Sequence, residues 1–82
     1  MKVHPDLAVE VVSPNDLAED VEGKVADYRA AGVQLVWVVY PTTKTVLVRR
    51  LGRTCAELDE AGELSGEDVV PGFACKVADL FV

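Results

Sequence analysis

The stretch LAVEVVSPNDLAEDVEGKVADYRAAGVQLVWVVY, residues 7–40, determines the fold predicted for this chain. Residues 7–12 form an apolar run with a single acid, which predicts a buried strand. Residues 16–31 place apolar side chains three and four positions apart, which predicts an amphipathic helix. Residues 34–40 form a second apolar run, typical of a strand that is buried on both faces. Strand, helix and strand in this order predict a βαβ unit with parallel strands and a right-handed crossover.

The predicted helix carries signals at both ends. Asn15 or Asp16 is the expected N-cap, because either side chain accepts a hydrogen bond from the first free amides of a helix. Gly32 is expected just past the end, where the backbone takes a left-handed conformation that glycine adopts without strain. The stripe expected to face the core consists of Leu17, Val21, Val25 and Tyr28.

The remainder of the chain predicts antiparallel structure. Residues 41–44 predict a turn, and residues 45–51 an antiparallel partner of the second strand. Residues 54–59 predict a further short strand, Pro71-Gly72-Phe73 a loop, and residues 76–81 a short C-terminal helical turn. The predicted fold class is therefore α/β: a βαβ unit, an antiparallel hairpin and a final helical turn.

Length and charge limit the class of protein. The chain has 82 residues and a formal net charge of −6, which indicates a single domain over residues 1–82. An autonomous nucleic-acid binder usually carries a basic face, so general nucleic-acid binding is not favoured. Arg49 and Arg50, adjacent on the predicted hairpin, are interpreted as a solvated basic spot. A nuclease is not excluded, since a metal site requires carboxylates.

Cysteine usage and hydropathy favour a cytoplasmic location. Cys55 and Cys75 are the only cysteines, and two cysteines without zinc-type spacing are interpreted as reduced thiols. The first residues lack the apolar core of a secretory signal. No apolar run reaches the roughly 18 residues that a membrane span requires.

Lys24 is the most informative single residue. It lies three positions after Val21 and four before Tyr28, so it projects from the stripe expected to face the core. A lysine directed at the core either extends past its neighbours to solvent or meets an anionic partner. Glu10, in the middle of the first strand, is the expected partner. Gly23 is interpreted as allowing the helix to approach the sheet closely.

Glu10 and Lys24 have both a structural and a chemical interpretation. They are either a salt bridge that only stabilises the fold, or a carboxylate and an amine that act beside a divalent metal ion. In the second case the carboxylate binds the metal and the lysine positions water or neutralises phosphate. Asp6 lies on the same face as Glu10 but about 13 Å away along a strand. It is therefore a poor co-ligand for one ion, and a co-ligand from a neighbouring strand is expected.

Four segments together resemble the second half of the Uma-type restriction endonuclease family, in the PD-(D/E)XK nuclease superfamily. The segments are PDLAVEVVSP (5–14), EGKVADYRAAGVQLVWVVYP (22–41), GEDVVPGF (66–73) and ADLF (78–81). The resemblance implies a restriction-endonuclease-like α/β core and DNA cleavage that depends on Mg²⁺ or Mn²⁺.

The resemblance also implies roles for three residues. Glu10 matches the acid of the family's EVxS strand motif, and Lys24 a lysine that has moved from that strand to the helix. Asp6 matches an acid common just before the strand. Glu10, Lys24 and Asp6 are thus the implied catalytic residues, and Glu10 and Asp6 the implied metal ligands. Val12 stands where other superfamily members carry the motif lysine.

Two departures from the family pattern predict an incomplete site. Members usually carry a long segment before this point, with a strand that bears another metal-binding aspartate, and this sequence contains no such segment. Tyr40 stands where members often have aspartate before proline. We therefore expect little or no nuclease activity from this chain alone.

A non-catalytic interaction module is the alternative. A first strand buried on both faces needs a neighbour on each side, and the sequence supplies only the second strand. Its free edge would be apolar and would invite pairing with another chain. This predicts either a homo-oligomer formed through the edge or a longer protein in which residues before Met1 cover it.

Overall fold

The computed structural model describes residues 7–50, 54–67 and 72–81. It contains one α-helix, six strands and a final 3-10 helix within those ranges. The elements are β1 (Leu7–Val11), α1 (Ala18–Ala30), β2 (Leu35–Tyr40), β3 (Thr45–Arg50), β4 (Cys55–Leu58), β5 (Glu63–Ser65), β6 (Ala74–Lys76) and the 3-10 helix (Val77–Phe81).

The main sheet has the order β1-β2-β3-β4, with β1 at one edge. β1 pairs in parallel with β2, with Leu7 opposite Leu35 and Val11 opposite Val39. β2–β3 and β3–β4 are antiparallel. The predicted βαβ unit and the following hairpin are therefore confirmed. The short strand predicted at 54–59 is present as β4, and the C-terminal helical turn is the 3-10 helix.

Two apolar layers cover the sheet. Helix α1 covers one side, termed here the helix face, where the buried residues are Ala8, Val21, Val25, Val33, Val36 and Val38. The β5–β6 hairpin and the 3-10 helix cover the opposite side, termed the hairpin face. Its buried residues are Leu35, Trp37, Val39, Val46, Val48, Leu64 and Val77. β2 is buried on both sides, as its continuous apolar sequence predicts.

The β5–β6 hairpin is absent from the sequence prediction. It forms a separate two-stranded sheet in which Leu64 lies opposite Cys75. Leu64 and Val77 are fully buried against the hairpin face. Two strands of three residues carry too little alternation to be recognised, and the loop predicted at 71–73 lies directly before β6. Position 71 itself, like Leu51 of the predicted third strand, lies outside the described residues.

The start of the helix differs from the prediction. Helix α1 begins at Ala18, and its N-cap is Leu17, which supplies no side-chain hydrogen bond. The Asp16 carboxylate instead accepts a hydrogen bond from the Ser13 amide at 2.9 Å. Leu17, expected in the buried stripe, is 59% exposed, because the N-cap position precedes the helical face that packs on the sheet.

The end of the helix agrees with the prediction. Gly32 has a φ of +87°, and its amide donates to the Arg29 carbonyl at 3.0 Å. The Val33 amide donates to the Tyr28 carbonyl, also at 3.0 Å. These two hydrogen bonds form a Schellman motif. The motif fixes the backbone of the last turn and places Val33 against Tyr28 in the helix-face layer.

Strand β1 is not buried on both faces, contrary to expectation. On the helix face Ala8 is only 7% exposed, but on the hairpin face Val9 is 51% and Val11 60% exposed. The hairpin layer packs over β2 and β3 and leaves this part of β1 uncovered.

Among the described residues, no helix has the length and apolar character needed to cross a bilayer.

Candidate nuclease-type site

Glu10 occupies the centre of the edge strand. It lies opposite Val38 in the register of β1 with β2, and its side chain rises on the helix face, as does that of Ala8 two residues earlier. Its side chain is 15% exposed. A carboxylate with so little exposure to water needs hydrogen-bond donors from the protein, and helix α1 supplies them.

Lys24 provides the first donor. Its Nζ atom lies 2.8 Å from Glu10 Oε1. The contact predicted from the position of Lys24 on the helix is therefore present. The lysine is less enclosed than expected: its side chain is 53% exposed, so the amine lies at the rim of the helix-face layer.

Gly23 does not have the role inferred from the sequence. A methyl group built on its Cα would meet nothing within 4 Å. The glycine is therefore not required for a close approach of helix to sheet, and the long lysine stem spans the gap instead.

Tyr28 provides the second donor. Its hydroxyl lies 3.2 Å from Glu10 Oε2, so each carboxylate oxygen has its own partner. The apolar spacing predicts Tyr28 in the core, and its half-buried ring does pack in the helix-face layer. The hydroxyl contact was missed. The available signal was the four-residue spacing from Lys24, which brings both side chains to one helical face.

The protonation states agree with this arrangement. The hydrogen bond from Lys24 to Glu10, reinforced by the carboxylate charge, raises the pKa of Lys24. Burial raises the pKa of Tyr28, and the charge of Glu10 adds to the effect. At neutral pH the amine is therefore cationic and the phenol protonated, and both donate to Glu10.

The described residues do not by themselves make a divalent-metal site. Within 7–50, 54–67 and 72–81, no three His, Cys, Asp or Glu side chains come together as a group that could hold a metal ion. Mg²⁺ and Ca²⁺ need several oxygen ligands within about 2.0–2.6 Å, and Glu10 supplies one carboxylate. Asp6, the second implied ligand, lies outside the described residues.

The two adjacent arginines are paired, contrary to the prediction of a solvated spot. Arg49 donates to Glu22 of helix α1 at 2.9 Å, and its side chain is only 16% exposed. This hydrogen bond lowers the pKa of Glu22. Arg50 donates to Glu67 at 2.9 Å. Neither arginine is thus a free cation at the candidate site.

An apolar groove of about 280 Å³ adjoins β1 on the opposite side of the sheet. It is lined by the following residues: Val9, Val11, Trp37, Val39, Pro41, Leu80 and Phe81. This groove is termed the edge groove, and Glu10, Lys24 and Tyr28 are termed the Glu10 cluster. The two lie on opposite faces of β1.

Comparison with solved structures identifies the fold. A protein from Anabaena variabilis, described as "a putative nuclease belonging to DUF820", superposes with a TM-score of 0.83 at 22% sequence identity. The match covers 98% of this chain and 45% of that one. This chain thus spans less than half the length of its solved relative. Comparison with curated proteins finds no match.

The fold is that of an α/β domain of the nuclease-like class, and in it an acid of the edge strand meets a lysine of the crossover helix. The chain belongs to the Uma2 family, whose model carries the description "Putative restriction endonuclease" and matches residues 1–78. The family resemblance seen in the sequence is confirmed.

Proposed function

We propose that this domain belongs to a metal-dependent DNA endonuclease, in which Glu10 is a metal ligand and Lys24 faces water or phosphate. The observation that supports the proposal is the 2.8 Å contact between Lys24 Nζ and Glu10 Oε1, on a strand whose outer edge is unpaired within the described sheet. Family membership supports DNA as the substrate.

The exposure of Lys24 suits this role. The half-exposed side chain keeps the ammonium group in contact with solvent while it pairs with Glu10. From the rim of the helix-face layer it can reach an oxygen atom of an approaching phosphodiester while it stays near the carboxylate. An ammonium group binds phosphate as a mobile point charge.

The metal part of the proposal needs ligands beyond the described residues. Mg²⁺ or Mn²⁺, when bound, would stabilise the charge that develops on phosphate during hydrolysis. The described residues contain no group of three His, Cys, Asp or Glu side chains for this purpose. Asp6 remains a proposed second ligand by family match, and further ligands would come from a strand beside β1.

A plasmid-nicking assay with Mg²⁺ or Mn²⁺ tests the proposal on this chain. We expect the parent chain and the Glu10→Ala variant to give equal, background-level nicking, because one carboxylate does not hold the ion. Robust cleavage by the parent that is lost in Glu10→Ala would support Glu10 as a metal ligand, but it would contradict the expectation that the site needs further ligands.

We propose homo-oligomerisation through β1 as a second candidate function. It is supported by the exposure of Val9 and Val11 at the free edge, 51% and 60%, and by the adjoining edge groove. An apolar edge strand readily pairs with another chain.

We also propose a reducing, cytoplasmic location, which suits the free thiols of Cys55 and Cys75.

Sedimentation or light scattering across a concentration series tests the second candidate. We expect a dimer that dissociates in the Val9→Lys variant, because a lysine on the edge blocks strand pairing. Leu17→Lys is the matched control, since Leu17 is equally exposed but lies at the helix start. A parent chain that stays strictly monomeric at high concentration would contradict this candidate.

A further inference from the structure

Tyr28 is held more firmly than the lysine one turn before it. Its carbonyl accepts the Val33 amide in the Schellman motif, and its ring packs in the helix-face layer. A tyrosine side chain has only two rotatable bonds, so an anchored ring gives its hydroxyl a nearly fixed position. Lys24 instead has a flexible stem of four carbons and is half-exposed.

The two donors bind different oxygen atoms of Glu10. Lys24 binds Oε1 at 2.8 Å, and Tyr28 binds Oε2 at 3.2 Å. A side chain whose carboxylate is held at one oxygen by a mobile amine can still exchange between its staggered rotamers. A second donor, fixed in position and bound to the other oxygen, restricts that exchange. The fixed hydroxyl is therefore better suited than the mobile amine to define the orientation of the carboxylate.

We propose that Tyr28 is a positioning residue of this site: its hydroxyl holds the Glu10 carboxylate in one orientation, while Lys24 remains free to move towards a substrate. The importance of that orientation for catalysis rests on the proposed nuclease function. A metal ligand must be held to within a fraction of an ångström to be effective, and such support usually comes from neighbouring hydrogen bonds.

The side-chain conformation of Glu10 provides the test. Three-bond coupling constants in the isotopically labelled chain report the rotamers of Glu10 with no metal or DNA present. We expect one dominant rotamer in the parent chain and loss of that single-rotamer pattern in Tyr28→Phe, which keeps the ring but removes the hydroxyl. Lys24→Met should retain most of the parent pattern.

Tyr40→Phe is the matched control. Tyr40 also packs at the helix-face layer, but its hydroxyl makes no side-chain hydrogen bond among the described residues, so the Glu10 couplings should not change. An unchanged Glu10 in a folded Tyr28→Phe variant would overturn the proposal. So would full averaging in Lys24→Met, a result that does not depend on whether Tyr28→Phe folds. Because no cleavage is measured, failure of the nuclease proposal would leave this result intact.

Discussion

Glu10 is the central residue of the candidate site. Of its two hydrogen-bond donors, Lys24 could be predicted from the sequence. The spacing of Lys24 from Val21 and Tyr28 predicts a side chain on the face that meets the sheet, and the only acid on the first strand is its partner. The contact of the tyrosine hydroxyl was only partly signalled, because the four-residue spacing from Lys24 places Tyr28 on the same helical face but does not identify its acceptor. A pattern of apolar positions treats tyrosine as a core residue, and whether its polar end reaches an acceptor depends on helix rotation and packing.

The Glu10 cluster should produce a distinct loss of stability at alkaline pH. The pKa of Lys24 and that of Tyr28 are both raised in the folded state, so the unfolded chain releases these protons first as the pH rises. Stability is therefore lost with rising pH. The loss of stability is expected above about pH 10, which is close to the ordinary pKa of both groups.

Urea unfolding at pH 7 to 12 measures this effect. Compared with Glu10→Gln, the parent chain should have the higher midpoint at neutral pH, and the difference should shrink above about pH 10. Gln is the appropriate replacement because it keeps the size of the side chain and removes its charge. A midpoint difference that stays constant to pH 12 would mean that the carboxylate does not control these two protons.

At the scale of elements, the βαβ unit and the hairpin after it were predictable because their apolar runs are long. The predictions from the sequence were wrong where the burial or the pairing of a strand depends on residues that are distant in the sequence. β1 resembles a strand buried on both faces, yet Val9 and Val11 are exposed because the hairpin layer does not extend over them. That layer itself comes from β5 and β6, whose three-residue strands carry little pattern of their own.

Two glycines, one inside helix α1 and one just past its end, allow the effect of Gly→Ala on stability to be compared directly. Gly23 lies in the helix interior, exposed, with open space where a side chain would be. Gly23→Ala should therefore stabilise the fold by about 1 kcal/mol, the difference in helix propensity between the two residues. Gly32 has a φ of +87° in the C-terminal motif, so Gly32→Ala should destabilise the fold by roughly 1–2 kcal/mol.

Chemical denaturation of the two variants beside the parent provides the measurement. The free energy of unfolding is expected to rise for Gly23→Ala and to fall for Gly32→Ala. Each variant therefore serves as a control for the other. If Gly23→Ala destabilises the chain, then a close contact between helix and sheet exists at that position, and the original interpretation of Gly23 would be restored.

At the scale of the whole molecule, the domain brings an acid of the edge strand together with a lysine of helix α1, and the described residues contain no group of three metal ligands. Within the described residues no further acidic side chain approaches Glu10 closely enough to complete a metal-binding group. The chain matches less than half of its solved relative. The fold class and a shortage of metal ligands could be predicted from the sequence. The groups that would complete the site could not be predicted, because the described residues contain no set of three such ligands.

Cleavage of supercoiled plasmid by a chimera is the most direct test of the claim that Glu10 and Lys24 form part of a nuclease site. The chimera joins the part of the Anabaena relative that this chain does not match to the 82 residues of this chain. Folding of each protein is checked by circular dichroism before the assay. The account predicts Mg²⁺- or Mn²⁺-dependent nicking by the chimera and none by the chain alone, with loss of nicking in Glu10→Gln and Lys24→Met. Nicking by the folded chimera that persists in Glu10→Gln would contradict the account.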